Sequence, residues 1–262
     1  PVPDYFAEME TIGATGRVLF PKDGAPSMSD GGQVATRTLS QACKRDGVDI
    51  KASQRVQKII MNEKGEAIGV EAIGATGKVI KVKAKKAVMF CTGGFTHDVE
   101  LRKNFLSIPA YGGCAAMTNE GDFIRMSSTL GVQLRNMNYA WMCPVSFEKA
   151  IAKDPSLIGC FSVAGDSMIF VDKTGKRVVN EKRDYNDRAQ AHFPYDAAHE
   201  EYPNHLMFML FDARSRDAFG GAFPLPAPNG SNPHMLEGSN WEDLAGKIAA
   251  QLKGWEGRIG GV

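Results

Sequence analysis

The segment AVMFC at residues 87–91 is apolar throughout and runs directly into Thr92, Gly93 and Gly94. It lacks the alternation of a half-exposed strand, a pattern typical of a strand buried on both faces of a parallel sheet. Because glycine carries no Cβ, the backbone at Gly93 and Gly94 can approach a ligand at the end of this strand, where α/β folds bind dinucleotides. A plain strand-to-helix turn explains the same residues equally well.

The residues before this segment predict a helix followed by short strands. An extended loop over the first 28 residues leads to a helix that begins at Ser29 or Asp30 and ends at Gly47. Its inward stripe is expected to consist of Val34, Thr38, Leu39 and Ala42. A strand at 48–52 follows, and then an antiparallel meander with strands at 56–60, 67–73 and 78–82 and glycine-containing turns at 62–65 and 74–77.

The pattern changes after about Ser107. The predicted elements are a helix at 121–130, a hairpin at 167–180, a strand at 206–211 with a short helix after it, a proline-rich loop at 224–233, and a helix capped by Ser239 or Asn240. The sequence therefore predicts an α/β nucleotide domain over 1–115 and an α+β lobe over 116–262, with the boundary between about 110 and 135.

Charge and composition exclude several classes of function. The 31 basic and 30 acidic residues leave a net charge of +1, which gives no electrostatic reason to bind nucleic acid or an anionic membrane surface. No apolar run reaches the roughly 18–20 residues that span a bilayer. The five cysteines form no C-x-x-C pair and indicate free thiols in a reducing, cytoplasmic compartment. The five histidines lack metal-ligand spacing, so no metal site is predicted.

Two polar stretches are candidates for chemistry. At residues 118–122 (TNEGD), amide groups at a helix start can hold an anion, or Asp122 simply caps its own helix. At residues 180–185 (NEKRDY), Arg183 can bind a carboxylate or donate a proton and Tyr185 can exchange one, or the stretch is a solvated charged turn.

Taken in order, these pieces resemble the FAD-dependent fumarate reductase and succinate dehydrogenase flavoproteins and their relatives, the 3-ketosteroid Δ1-dehydrogenases. The resemblance covers nearly the whole chain. It is carried by Gly31-Gly32 and by the passages GVDIKASQRVQKII, KKAVMFCTGGFTHDVEL, TNEGDFIRMSSTLGVQL, SMIFVDKTGKRVVNE and FMLFDARSR. It implies a partial FAD-binding, Rossmann-like domain with an antiparallel β-meander, followed by an α+β cap that carries the catalytic residues.

The resemblance also implies which residues hold the FAD. The first meander strand of this family lends a valine backbone to the adenine, which corresponds to Val56. The family's A-T-G-G turn and T-x-x-G-D segment lie against the cofactor. They correspond to Thr92, Gly93 and Gly94, with Cys91 in place of the usual alanine, and to Gly121 and Asp122.

The stretch after the N-E dipeptide lines the catalytic face of the flavin in this family. Fumarate reductases use an arginine there as proton donor, whereas ketosteroid dehydrogenases use a tyrosine as base. Both Arg183 and Tyr185 are present, so this stretch does not choose between the two reactions.

Two departures refine what the resemblance implies. The passage at 138–144 (NYAWMCP) replaces the glutamine-x-histidine-proline motif of the fumarate enzymes and is closer to the steroid dehydrogenase branch. Its Trp141 and Met142, with Phe147 beyond, suit a flat hydrophobic substrate. The family's opening G-x-G-x-x-G is absent, and this predicts an interior portion of a longer flavoprotein that alone holds FAD poorly and does not turn over.

We therefore expect a flavin-dependent dehydrogenase that desaturates a bulky, 3-ketosteroid-like ketone, with Tyr185 as base and Arg183 as the second candidate. One alternative is fumarate-type reduction of a conjugated double bond, with Arg183 as acid. The other is a non-catalytic binding module. The sequence leaves the electron acceptor, the direction of the reaction and the oligomeric state open.

Overall fold

The computed structural model describes residues 31–108, 110, 112–152, 159–160, 163, 165–221 and 224–255, together with two short strands near the start of the chain. Those strands are β1 (Val2–Pro3) and β2 (Thr15–Gly16), which pair in antiparallel fashion. The rest of the loop predicted for the first 28 residues, and the helix cap predicted at Ser29 or Asp30, lie outside the described residues.

The chain divides into two compact units, one formed by Pro1–Asp98 and Asn119–Arg135 and the other by Val99–Thr118 and Asn136–Val262. Both contain helices and strands, and the mixed helix-and-sheet class with an antiparallel meander is confirmed. The predicted domains over 1–115 and 116–262 stay a prediction.

The first unit is built on the predicted meander. Its strands are β3 (Gln54–Met61), β4 (Ala67–Gly74) and β5 (Val79–Lys83), which pair in that order. The turn between β3 and β4 is closed by a hydrogen bond of 3.1 Å from the Gly65 amide to the Asn62 carbonyl. The matching bond between β4 and β5 runs from Gly77 to Gly74 over 2.9 Å. Gly65 and Gly77, the amide donors of these two bonds, have positive φ, as such turns require.

Two further helices complete the regular structure of the first unit. α1 (Gly31–Arg45) confirms the predicted helix, although Leu39 of its expected inward stripe is 66% exposed and none of its residues is buried. The second helix of this unit, Asp122–Ser127, continues as a 3₁₀ turn over Ser128–Leu130 and stops at Gly131, as predicted. Within the stripe expected for α1, Val34 and Ala42 are partly buried while Thr38 and Leu39 are exposed.

The predicted strands at 48–52 and 87–91 are not formed. Residues 87–91 have no strand assignment, and Met89 is 85% exposed. A strand of a parallel sheet needs hydrogen-bonded neighbours, and every strand pair within the described residues is antiparallel. The interpretation of 87–91 as a strand buried on both faces is therefore wrong for this structure.

The second unit holds the remaining helices and a two-stranded sheet. Numbered through the chain, and with the Asp122–Ser127 helix as α3, its elements are α2 (Val99–Phe105), α4 (Phe147–Ile151), β6 (Met168–Val171), α5 (Tyr185–Gln190), β7 (Phe208–Phe211), α6 (Ala213–Phe219) and α7 (Trp241–Trp255). The helices α6 and α7 begin where predicted, because Asp212 and Asn240 accept backbone amide hydrogens of the first turns.

The predicted hairpin at 167–180 is correct in its turn and wrong in its pairing. The Asp172–Gly175 hydrogen bond of 3.0 Å closes the turn. A single bridge between Val171 and Arg177 then follows, and the ladder of β6 instead runs to β7, with Phe170 opposite Met209. The partner of β6 therefore comes from a distant part of the chain. It was predicted as a strand, but not as this strand's neighbour.

A buried cluster stabilises the second unit beside β6. It consists of Cys160, Val163, Met168, Phe170 and Leu225, with Val179, Met207, Met209 and Phe211 packed against it.

All five cysteines are free thiols. Across the part of the chain that the structure describes, no helix is long and apolar enough to cross a membrane, and no group of three acidic, histidine or cysteine side chains is placed to bind a metal ion.

Candidate cofactor and active site

The glycine turn after residue 92 lies against the segment at 119–121, as expected of two parts of one site. Gly93 adopts a φ of +74°, a backbone conformation that residues with a side chain rarely take. A Cβ at Gly93 would stand 2.8 Å from the amide atoms of Asn119. The carbonyl of Gly94 accepts a 3.1 Å hydrogen bond from the Gly121 amide. The structure thus brings together the predicted cofactor residues of both motifs.

Arg55 joins the first meander strand to the same place. Its Nη2 donates to Asp122 Oδ1 over 2.7 Å and to Glu120 Oε2 over 3.0 Å. Gly121, with φ of +75°, stands between the two acids in sequence and is the N-cap that precedes α3. Because Arg55 directly precedes Val56 in β3, the predicted adenine-contacting residue belongs to the same group of segments. Sequence reasoning missed Arg55, whose only signal was its position beside Val56.

Residues 92–94 and 119–122 together form what we call the cradle. Its exposed side is the backbone of Gly94. Among the described residues, no atom lies within 4 Å of the point where a Gly94 Cβ would stand, and the residue is exposed. Thr92 and Gly93 are exposed beside it. In the same unit, the centre of the Phe90 ring lies 5.0 Å from the centre of the Phe123 ring in α3. These residues fit the polar chain of a dinucleotide, since the backbone at 92–94 is exposed and the Cβ position of Gly94 is open among the described residues.

In the second unit, Glu181 of the N-E dipeptide fixes the start of the stretch that follows it. This side chain is buried, and its Oε1 accepts hydrogen bonds from the Phe170 amide over 2.9 Å and from Arg177 Nε over 3.1 Å. Burial alone would raise the pKa of Glu181, but the bonds from Arg177 and Phe170 outweigh it and hold the pKa below its usual value. Glu181 therefore stays ionised and fixes the start of the turn.

Arg188 anchors the other side of this turn. It is 1% exposed, and its Nε donates to the Arg183 carbonyl over 3.0 Å while its Nη2 donates to the Cys160 carbonyl over 2.7 Å. Its guanidinium also lies 6.0 Å from the centre of the Phe170 ring. Asp184 caps α5 by accepting from the Asn186 and Asp187 amides. Sequence reasoning missed Arg188, which stands in a run of helical residues with no motif around it.

Four of the five predicted catalytic and substrate-lining residues lie at the start of α5, and the fifth, Phe147, does not. The ring of Trp141 lies 6.3 Å from that of Tyr185, and Trp141 is 77% exposed. The Met142 amide donates to Asn186 Oδ1 over 2.9 Å. Arg183 is exposed, with its Nε 4.0 Å from Asp187 Oδ2. Phe147, the third predicted lining residue, packs edge-to-face on Trp255 at 4.8 Å, so it also joins α4 to α7.

The thiol beside these residues is not a nucleophile. Burial, reinforced by the neighbouring thiols of Cys114 and Cys160, raises the pKa of Cys143 to about 12. The thiolate is the reactive form of cysteine, and its population is negligible at neutral pH.

Two histidines of the second unit, His192 and His205, lead us to expect that its stability depends on pH. Burial lowers the pKa of His192, whose Nδ1 lies 3.0 Å from the Asn204 carbonyl and 3.1 Å from that of His205. Burial likewise lowers the pKa of His205, and the cation of Arg188 adds to the effect on His192. The unfolded chain therefore binds more protons, and we expect the free energy of unfolding to decrease as pH falls below about 6.5.

Thermal unfolding between about pH 7.5 and 5.5 measures this effect. The melting temperature of the wild type should fall with pH more steeply than that of His192→Gln, while exposed His234→Gln should keep the wild-type slope. His199 acts in the opposite sense, because Asp196 raises its pKa and its contribution is lost as pH rises. Equal slopes in the wild type and His192→Gln would contradict the assignment.

Comparison with known proteins places this chain among flavin-binding proteins. The family described as FAD binding domain matches residues 8–250, and the chain belongs to it. The predicted family and cofactor, FAD, are thereby confirmed. Over 257 residues the chain is 30% identical to the 4-oxocyclohexanecarboxylate 2-dehydrogenase of Sinomonas cyclohexanicum, covering 94% of this chain and 44% of that protein.

Two further comparisons add a reductase among the relatives and a shared fold. The chain is 28% identical over 171 residues to the acrylate reductase flavoprotein subunit of Shewanella woodyi, which covers 60% of this chain and 33% of that protein. The 3-ketosteroid-Δ4-(5α)-dehydrogenase structure from Rhodococcus jostii RHA1 has a TM-score of 0.51 at 22% identity, covering 72% and 35% of the two chains, which shows a shared fold. The chain spans less than half the length of these proteins.

Proposed function

We propose that this chain is part of an FAD-dependent oxidoreductase that acts on a CH–CH group beside a carbonyl. Membership of the FAD binding domain family supports the cofactor. The relatives described above include a dehydrogenase named for a cyclic ketone and a reductase named for acrylate. The activity of the whole protein is inferred from these names together with the residues of the two candidate sites.

The cradle in the first unit is proposed to hold the FAD. Gly94 and Thr92 would offer exposed backbone to its polar chain, Gly93 the left-handed turn that exposes them, and Gly121 and Asp122 the facing edge. Val56 would contribute backbone at the adenine end. When bound, FAD accepts a hydride from the substrate carbon next to the one that loses a proton.

The single observation that carries the reaction is the pairing of Trp141 with Tyr185. It sets an exposed aromatic surface beside a phenol oxygen, as a flat apolar substrate with one acidic C–H requires. Tyr185 Oη would take the proton from the carbon next to the carbonyl. The electron pair of that C–H bond would form the conjugated double bond as the hydride leaves the adjacent carbon for the flavin. Met142 would line the same surface.

The substrate we propose is a cyclic ketone of 3-ketosteroid type. The aromatic face of Trp141 suits a flat ring system better than a small dicarboxylate, and the passage at 138–144 lacks the carboxylate-clamping histidine of the fumarate enzymes. The cyclohexanone-based name of the Sinomonas relative supports a ring ketone, with or without further fused rings.

A second candidate is the reduction of a conjugated double bond. Arg183 favours it, because its guanidinium is 46% exposed, 4.0 Å from Asp187, and can donate a proton to a carbon next to a carboxylate. The acrylate reductase among the relatives supports the same direction.

Turnover by the full-length flavoprotein that contains this chain, loaded with FAD, separates these proposals. We expect a 3-ketosteroid or a substituted cyclohexanone, supplied with an artificial electron acceptor, to be converted into its conjugated enone. Fumarate and acrylate, supplied with a reduced dye, should react much more slowly. Rapid reduction of either acid without oxidation of any ketone would establish the second candidate. Flavin-loaded protein that turns over neither class would favour a non-catalytic binding module.

A further inference from the structure

The site at α5 includes a set of hydrogen bonds that joins three segments far apart in sequence, namely residues 142–144, Cys160 and α5, with Cys160 between the other two. Asn186 accepts from the Met142 amide over 2.9 Å, across 44 residues of chain. Two residues later, the Pro144 carbonyl accepts from the Cys160 amide over 2.7 Å. Arg188, in the same helix as Asn186, donates to the Cys160 carbonyl over 2.7 Å. The segment at 142–144 is therefore tied to α5 at both ends.

We propose that Asn186 is a positioning residue that sets the spacing between Trp141 and Tyr185. Tyr185 directly precedes Asn186 in α5, and Trp141 directly precedes Met142, so this one bond joins the residues next to both rings. Trp141 itself is largely exposed, and residues 140–144 have no regular secondary structure. The location of its ring therefore depends strongly on how the adjacent backbone is held.

The two ties differ in what they support. Arg188 is buried, contacts the carbonyls of Arg183 and Cys160, and lies beside Phe170 of the core, so its loss would disturb the whole lobe. Asn186 is half-buried, and its side-chain oxygen accepts a hydrogen bond from the Met142 amide. Without it, the Pro144–Cys160 bond remains. Loss of Asn186 should therefore release Trp141 while the lobe stays folded, and this makes the proposal testable.

The first readout is independent of catalysis. In FAD-loaded protein labelled with 5-fluorotryptophan, the ¹⁹F resonance of Trp141 is assigned with Trp141→Phe. We expect Asn186→Leu, which keeps volume and removes the acceptor, to move this resonance towards the value of a free side chain. Asn186→Asp keeps an oxygen acceptor and should restore the wild-type position. The control Asn232→Leu removes a comparable 2.9 Å bond to the His234 amide in a distant loop and should leave the resonance unchanged.

The second readout rests on the proposed function. Because misplacing a substrate-positioning group by about 1 Å can cost up to about 10²-fold, Asn186→Leu should lower kcat/KM on a cyclic ketone by about 10–100-fold. FAD content should not change, and Tm should fall by no more than about 2–4 °C. Asn186→Asp should recover most of the activity.

The outcomes distinguish this proposal from the proposed function. A Trp141 resonance that Asn186→Leu does not move, or that Asn232→Leu moves equally, would overturn the positioning role. A wild-type protein that oxidises no ketone would overturn the proposed reaction, while the resonance would still decide whether Asn186 holds Trp141.

Discussion

Tyr185→Phe is expected to lower kcat on a cyclic ketone by about 10²–10⁴-fold, the usual effect of losing a general base. The change removes one oxygen and keeps the ring, so the 6.3 Å contact with Trp141 should persist. Flavin content and melting temperature should stay at wild-type values, because Asp184, Glu181 and Arg188 hold the turn through bonds that do not involve the phenol oxygen.

Tyr195→Phe is the matched control, because Tyr195 also pairs with an aromatic ring, that of Tyr202 at 5.1 Å, and should tolerate the change without loss of kcat. A kcat for Tyr185→Phe within about twofold of the wild type would assign Tyr185 to packing alone, given the size of a general-base effect. If Arg183→Ala abolished fumarate reduction while Tyr185→Phe had no effect, the reductase alternative would be correct.

Gly94→Val should reduce the retention of FAD by at least about tenfold with little change in stability. Gly94 has ordinary φ, and the space at its Cβ position is open among the described residues, so the folded chain accommodates valine. A cofactor approaching that backbone would collide with the branched side chain. Equilibrium dialysis of FAD against both proteins, with Tm measured in parallel, gives the two quantities.

Gly93→Val gives a less selective test, since φ of +74° and the 2.8 Å approach to Asn119 strain the folded chain as well. It should lower FAD retention and stability together. Gly246→Val in α7 is the control, because its Cβ position is also open and it lies outside both candidate sites. Unchanged FAD retention in Gly94→Val would mean that this turn serves the fold and not the cofactor.

Local chemistry made much of this structure predictable. The meander follows from short strands separated by turns, in which Asn62, Gly65 and Gly77 supply the required conformations. The starts of α6 and α7 follow from the capping side chains of Asp212 and Asn240. Each of these features depends on residues a few positions apart, which is the range over which sequence patterns are informative.

Features that depend on distant partners were predicted less well. The apolar residues 87–91 predicted a buried strand, and burial requires neighbours that a local pattern cannot specify. The ladder of β6 runs to β7 rather than to the adjacent run at 176–179 for the same reason. Among the site residues, Arg55 and Asn186 were missed because their roles come from hydrogen bonds to distant parts of the sequence. Arg55 binds residues 65 and 67 positions away, and Asn186 binds a residue 44 positions away.

The most direct test of the central proposal is an anaerobic half-reaction of the FAD-loaded protein. Mixing it with a 3-ketosteroid or a substituted cyclohexanone, with no electron acceptor present, should bleach the visible band of oxidised flavin and release one conjugated enone per flavin. The account would be contradicted if these ketones left the band unchanged while fumarate or acrylate reoxidised the chemically reduced protein.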